Sequence, residues 1–317
     1  MSDASADDRR AEREDRDRPA FAGQNRVRSV KERAIEWLLF GCAALSVVVT
    51  LAIIATLLFD AIDFFTRVSP VAFFTGTNWS PKIDQTYGVL PLLTNTLAVT
   101  ALSALVAVPV GTASAAYLSE YASDRVRSIL KPALEVLAGI PTVVYGFFAL
   151  VYLTPALRAV GLPVSTFNLL SASIMVGVMI IPMVSSLSED AMSAVPDSLR
   201  QGAYGLGATK FEVTTGVVIP AAVSGIFSSF ILALSRAIGE TMIVVVAGGM
   251  SPKLIPSLFE SSQPMTAAMV QLASSDLAGD GAAYQALFAI GLTLFVITFS
   301  MNVVSNVVAA RYREEYR

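Results

Sequence analysis

Residues 201–220 read QGAYGLGATKFEVTTGVVIP. Gln201, Gly202 and Ala203 are followed after three residues by Gly207, and after nine more by Val217, Val218, Ile219 and Pro220. Small residues at 202, 203 and 207 let a short helix pack closely against a partner, and Gly207 permits a turn that redirects the chain. The stretch belongs to a moderately polar interval, Glu189–Val218, set between two apolar runs. What surrounds it decides the fold.

The chain has 317 residues, of which 54% are hydrophobic and 15% charged, against about 25% charged in soluble domains. Several uncharged stretches exceed the roughly 20 residues that an apolar helix needs to cross a bilayer. The expected fold class is an all-α membrane protein with six transmembrane helices, at about Trp37–Phe59, Leu92–Tyr117, Val136–Leu157, Asn168–Ser188, Ile219–Ala247 and Tyr284–Ala309. Residues 1–33 mix nine Lys and Arg with eight acids and read as a disordered tail. Residues 34–91 hold the first span and an external loop, 92–306 the main transmembrane domain, and 307–317 a second tail. The two tails and the loops after spans two and four carry seventeen Lys and Arg. The opposite loops carry four: Arg67, Lys82, Arg158 and Lys253. By the positive-inside rule both termini are cytoplasmic in the cell membrane.

Other features narrow the chemistry. Histidine is absent, which excludes a His-based metal site or triad, and no metal site is expected. The single cysteine, Cys42, allows no intrachain disulfide and is expected as a buried thiol. No Gly-x-x-x-x-Gly-Lys-Ser/Thr stretch occurs, so ATP is not expected to bind here through a phosphate loop. Pro109, Pro141, Pro182 and Pro220 are expected to kink their spans. Trp79 could anchor the first external loop at the membrane interface, and the second loop, Gly248–Ala283, could include a short helix or re-entrant piece.

One span carries charge. Arg236 and Glu240 lie between uncharged Val213–Ser235 and uncharged Thr241–Pro252. A charge at bilayer depth costs roughly 2.5–3.5 kcal/mol on insertion scales, so such residues pair, face a cavity or handle an ion. On a continuous helix the two side chains share one face. Arg236 would lie roughly 25 Å from the cytoplasmic end, in the outer half of the membrane. A plain ion pair holding two helices together is the competing reading.

The spacing from Gln201 to Pro220 resembles the EAA signature of permease subunits of binding-protein-dependent ABC importers, although Gln201, Gly202, Val217 and Ile219 depart from its usual residues. The stretches Gly88–Leu93, Ala116–Tyr121, Ala138–Gly146 and Ser235–Met242 resemble the phosphate-specific (Pst) permeases, more the PstC branch than PstA. The resemblance implies the type I ABC importer permease fold and a transporter subunit rather than an enzyme. It implies a second permease subunit PstA, two copies of the ATPase PstB, an external phosphate-binding protein PstS and surrounding lipid, with no nucleic acid. No cofactor would be bound by this chain; ATP and Mg would be used by the ATPase. Arg236, Glu240 and Thr241 would line the phosphate pathway, Arg offering a planar fork to phosphate oxygens. Gln201, Gly202, Ala203, Gly207 and Pro220 would form the ATPase coupling loop. A permease for sulfate, molybdate or phosphonate and a proton-coupled carrier are the alternatives.

Overall fold

The computed structural model describes residues 21–275 and 281–311. The part of the N-terminal tail before Phe21, the stretch 276–280 and the last residues of the C-terminal tail lie outside them. By its contacts the chain divides into two units, Met1–Thr56 and Leu57–Arg317.

Helix α1 (Phe21–Arg67), which begins in the first unit and ends in the second, already includes residues 21–33. The charged tail is therefore helical from Phe21 rather than disordered to 33, because Gln, Arg, Lys and Glu are good helix formers and extend a helix nucleated by the apolar run. From Ile35 to Phe59 most large side chains of α1 are exposed, Trp37 by 70%. In a bilayer protein such a surface suits lipid or a partner helix. Cys42 is exposed too, so the expectation of a buried thiol is corrected.

The second unit is built on two long helices, α3 (Leu90–Ala116, with a wider turn to Tyr121) and α6 (Leu169–Ser193). They pack at glycines: a Cβ on Gly111 would stand 2.7 Å from Val184, and one on Gly177 2.9 Å from Val106. Small residues let membrane helices approach in this way, where apolar burial gives no preference over lipid. Ser103 Oγ donates across the contact to the Ser173 carbonyl at 2.9 Å.

Before α3 come the short α2 (Pro70–Thr75) and a two-stranded hairpin, β1 (Trp79–Ser80) with β2 (Thr86–Tyr87), a small exception to the all-helical expectation. Trp79 is only 4% exposed and packs on Tyr87 beside Phe64 and Phe73, so it is a core residue, not an interface anchor. After α3, α4 (Asp124–Gly139) buries no residue fully, and α5 (Thr142–Ala159) follows. The third span thus starts at Thr142, not Val136. Ile140 and Pro141 stand between the two helices with extended backbone; Ile140 leaves the helix because the residue before a proline avoids the helical region.

After α6 a short helix, α7 (Asp197–Gly205), leads to α8 (Lys210–Ala221) and α9 (Val223–Ile238). α8 and α9 meet at a 70° bend just after Pro220. α10 (Met265–Ala273) is the short helix expected in the second loop, and α11 (Ala282–Arg311) is the last span. Among the described residues five helices are long and apolar enough to cross a membrane, and the bent α8–α9 pair, counted as one span, makes a sixth.

The two ends of the α3–α6 pair are finished differently. At the N-terminal ends, the segment 253–260 lies across both: Asn95 donates to the Lys253 carbonyl at 2.7 Å, and the Leu170 N–H to the Leu258 carbonyl at 2.9 Å. At the C-terminal ends lie α7 and α8, over a core of Ala115, Met192, Val213 and Val218.

Candidate functional site

α9 runs antiparallel to α6. A Cβ on Gly225 would meet Ala191 at 2.5 Å, and Ser229 Oγ lies 2.7 Å from Ser188 Oγ. Arg236, seven residues beyond Ser229, is thus roughly 10 Å farther from α7 at 1.5 Å per residue. That places it beside the middle of α6. The straight-helix estimate of an outer-half position fails because the 70° bend shortens the climb.

The guanidinium of Arg236 is exposed to a groove of about 420 Å³ between α4, α6 and α9. Met179, Pro182 and Met183 supply one wall, and Lys131, Glu135 and Glu189 bring the other charges. Among the described residues Arg236 makes neither an ion pair nor a side-chain hydrogen bond. It is therefore free to meet an anion.

Glu240 is placed elsewhere. The helix ends at Ile238, and residues 239–241 form a break before a wider helical turn, Val244–Gly248. The expected shared helical face of Arg236 and Glu240 does not exist, since Gly239 interrupts the helix between them. Glu240 is 8% exposed; its Oε1 accepts the Ile243 N–H at 3.1 Å, and its carbonyl accepts from Thr266 Oγ1 at 2.7 Å. The carboxylate thus caps the next helical turn, and the main-chain carbonyl tethers the break to α10. Thr241 Oγ1 donates to the Gly239 carbonyl at 3.2 Å, inside the same break. Glu240 and Thr241 shape the break; they do not line the groove of Arg236.

The sequence motif at 201–220 becomes a helix–turn–helix. Gln201, Gly202 and Ala203 lie on α7, with Gln201 and Gly202 exposed. Gly207 has φ 88°, the left-handed conformation. The Gly207 N–H donates to the Tyr204 carbonyl at 2.9 Å and the Ala208 N–H to the Ala203 carbonyl at 3.2 Å, the Schellman pattern of a helix C-terminus. Thr209 and Glu212 then cap α8 reciprocally. Pro220 stands just before the bend, after a wider turn at Thr214–Val218 that absorbs its missing donor.

Five charged residues that sequence reasoning counted only for topology, or passed over, are structural partners. Glu189, fully buried on α6, pairs with Arg127 and Lys131 of α4. Arg200 of α7 reaches Glu120 at 3.1 Å and the Met192 carbonyl at 2.9 Å. The signal available was position: each acid stands at the end of an apolar run, where a lone carboxylate needs a cation.

Among the described residues, five apolar spans and a bent sixth that ends just past Arg236, with a helix–turn–helix at one end of the central pair, describe a membrane permease subunit. The chain belongs to the family described as binding-protein-dependent transport system inner membrane component, which matches residues 107–314. It is 36% identical over 261 residues to the probable ABC transporter permease protein YqgH of Bacillus subtilis, covering 81% of this chain and 84% of that one. It is 34% identical over 260 residues to the phosphate transport system permease protein PstC of Mesorhizobium japonicum, covering 76% and 78%. The fold is shared with a bacterial ABC transporter for import of the polysaccharide alginate: TM-score 0.63 at 16% identity, over 90% of this chain and all of that one. A methionine ABC transporter in an inward-facing conformation matches at 0.52, with 16% identity over 72% and 95%.

Proposed function

We propose that the chain is the membrane-spanning subunit of an ATP-driven importer of inorganic phosphate. The observation that carries this is Arg236: a guanidinium in mid-span, facing a groove and unpaired among the described residues, in a chain similar to phosphate permeases. Its planar fork suits two phosphate oxygens, and in a low-dielectric groove a charge-assisted bond is stronger than in water. Glu240 and Thr241 act by fixing the break that ends α9 two residues after Arg236.

The partners that complete this reading are a second permease PstA, two PstB ATPases that hydrolyse ATP with Mg²⁺, and an external phosphate-binding protein PstS. The positive-inside bias puts both termini and α7 in the cytoplasm. α7 then faces the ATPase, and the exposed Leu206, Phe211 and Tyr204 around Gly207 offer it an apolar contact (91%, 68% and 43% exposed). Segment 253–260 lies on the side from which PstS delivers.

The test is uptake of labelled phosphate by proteoliposomes holding the full assembly. Uptake should require ATP and PstS and should resist a hundredfold excess of sulfate. Uptake of sulfate or molybdate in preference to phosphate would overturn the substrate, and uptake by this chain alone would overturn the ATP-driven class.

A further inference from the structure

The groove holds a second cation whose situation differs from that of Arg236. Lys131 lines it from α4, and so does Glu189 from α6. Glu189 is wholly buried, yet its carboxylate has two cations: Arg127 on Oε1 and Lys131 on Oε2. The two contacts are unequal. Arg127 donates a hydrogen bond to Oε1. Lys131 Nζ lies 2.7 Å from Oε2, but Oε2 receives no aligned hydrogen bond.

A single buried carboxylate needs one cation to be neutralised. Arg127 meets that need from outside the groove, so Lys131 supplies a charge in excess, on the groove side. Glu135 also faces the groove but forms no ion pair with Lys131. Glu189 lies at the level of the Ser188–Ser229 contact, so Lys131 stands roughly 10 Å nearer α7 than Arg236, by the same count of α9 residues. An oxyanion held at Arg236 has this cation on its way toward α7. Lys131 can leave Glu189 for the anion without stranding a buried charge, because Arg127 stays.

We infer that Lys131 is a second anion contact of the groove, which receives the oxyanion from Arg236, with Glu189 as its resident counter-ion while the groove is empty. The inference rests on the phosphate-importer reading and deepens it. It makes transfer a charge exchange at a ready-made ion pair, so that Lys131, unlike Arg236, keeps a counter-ion between passages.

The experiment uses the full assembly in proteoliposomes, with labelled inorganic phosphate outside and ATP inside. Lys131→Gln should assemble at wild-type yield, because the Arg127–Glu189 pair is intact. Its maximal uptake should fall about tenfold or more, the worth of one charge-assisted bond, with the KM for phosphate-loaded binding protein unchanged. Lys131→Arg should keep uptake, but phosphate inside the vesicles should inhibit it at several-fold lower concentration, since a fork holds the anion by two bonds. A merely structural lysine would not shift that inhibition. Uptake by Lys131→Gln within twofold of wild type overturns the inference. If Lys131→Gln does not assemble, Lys131→Arg decides: unchanged sensitivity to internal phosphate overturns it. If wild-type assembly imports no phosphate at all, the substrate reading fails and the inference falls with it; if wild type imports and Lys131→Gln equals it, only the role of Lys131 falls.

Discussion

The guanidinium of Arg200 lies 3.1 Å from the Glu120 carboxylate, joining α7 to the last turn of α3. Both side chains are largely buried, 14% and 6% exposed. Arg200 also accepts the burden of closing α6, donating to the Met192 and Val195 carbonyls, and it reaches Asp197 at 3.1 Å. One residue thus ties α7 to the ends of both central spans. Removing one partner of a buried pair costs about 3 kcal/mol or more. Glu120→Ala should therefore destabilise the chain by about that amount. It should also lower phosphate taken up per ATP hydrolysed, because α7 no longer moves with α3. Thermal unfolding of the purified assembly, and the ratio of uptake to ATP hydrolysis, check the two effects separately.

Gly207 gives the second prediction. At φ 88° an L side chain is strained, by about 1–2 kcal/mol. Nothing crowds the position: no atom outside its own neighbours lies within 4 Å of a Cβ built there. The strain is therefore conformational, and Gly207→Val should unwind the Schellman turn and misdirect α7. ATP hydrolysis that continues with little uptake is the expected result; normal coupling in Gly207→Val would show that the turn tolerates rearrangement. Gly207→Asn, which accepts the left-handed region better, should fall between.

How far these features could be read from sequence depends on their range. The Gln201–Pro220 spacing is local, and its turn at Gly207 and bend after Pro220 appeared where the residues put them, while the equally local Thr209–Glu212 cap went unread. The number of spans follows from apolar length, which tertiary packing hardly alters. The end of α9 was not legible from hydropathy, because Arg236–Gly248 is apolar enough to continue a helix. Only Gly239 beside a polar residue hinted at the break, and the tether that fixes it, Thr266 to the Glu240 carbonyl, is 26 residues away. Lys131 and Glu189 are 58 positions apart in the chain and meet only because α4 folds back along α6. A charge count for topology used Lys131 and said nothing of that meeting.

The packing of the two central spans makes the third prediction. Gly177 and Gly111 are points of close approach between α3 and α6. A Cβ on Gly177 would stand 2.9 Å from the Val106 Cβ and 3.0 Å from the Ser103 carbonyl oxygen. The obstacle is partly backbone, so it cannot swing aside. Gly177→Leu should cost about 1–3 kcal/mol of overpacking and weaken the Ser103–Ser173 bond beside it. Lower yield and melting temperature, with unchanged values for Gly202→Ala on the open surface of α7, would locate the effect in the helix contact.

Arg236 and Glu240 separate chemistry from architecture. Arg236 faces the groove and, among the described residues, bonds to nothing, so Arg236→Gln removes no contact that holds the fold. Its stability should stay within about 0.5 kcal/mol of wild type, as for a change away from structural features. Uptake should be abolished, because the neutral amide gives an oxyanion neither charge nor fork. Arg236→Lys restores the charge without the fork and should recover only part of the rate. Glu240 differs on both counts. Its carboxylate caps Ile243 and its main chain is tethered to Thr266, so Glu240→Ala should cost about 1 kcal/mol as a lost cap. Glu240→Gln keeps an acceptor but loses the charge assistance, and it should cost less. Both should lower uptake by shifting the break that sets Arg236 in the groove, and the loss should track the loss of stability. Uptake and melting temperature measured together on these four variants settle the assignment. Loss of uptake without loss of stability belongs to Arg236, and coupled loss to Glu240. Arg236→Gln with wild-type uptake would remove Arg236 from the anion path.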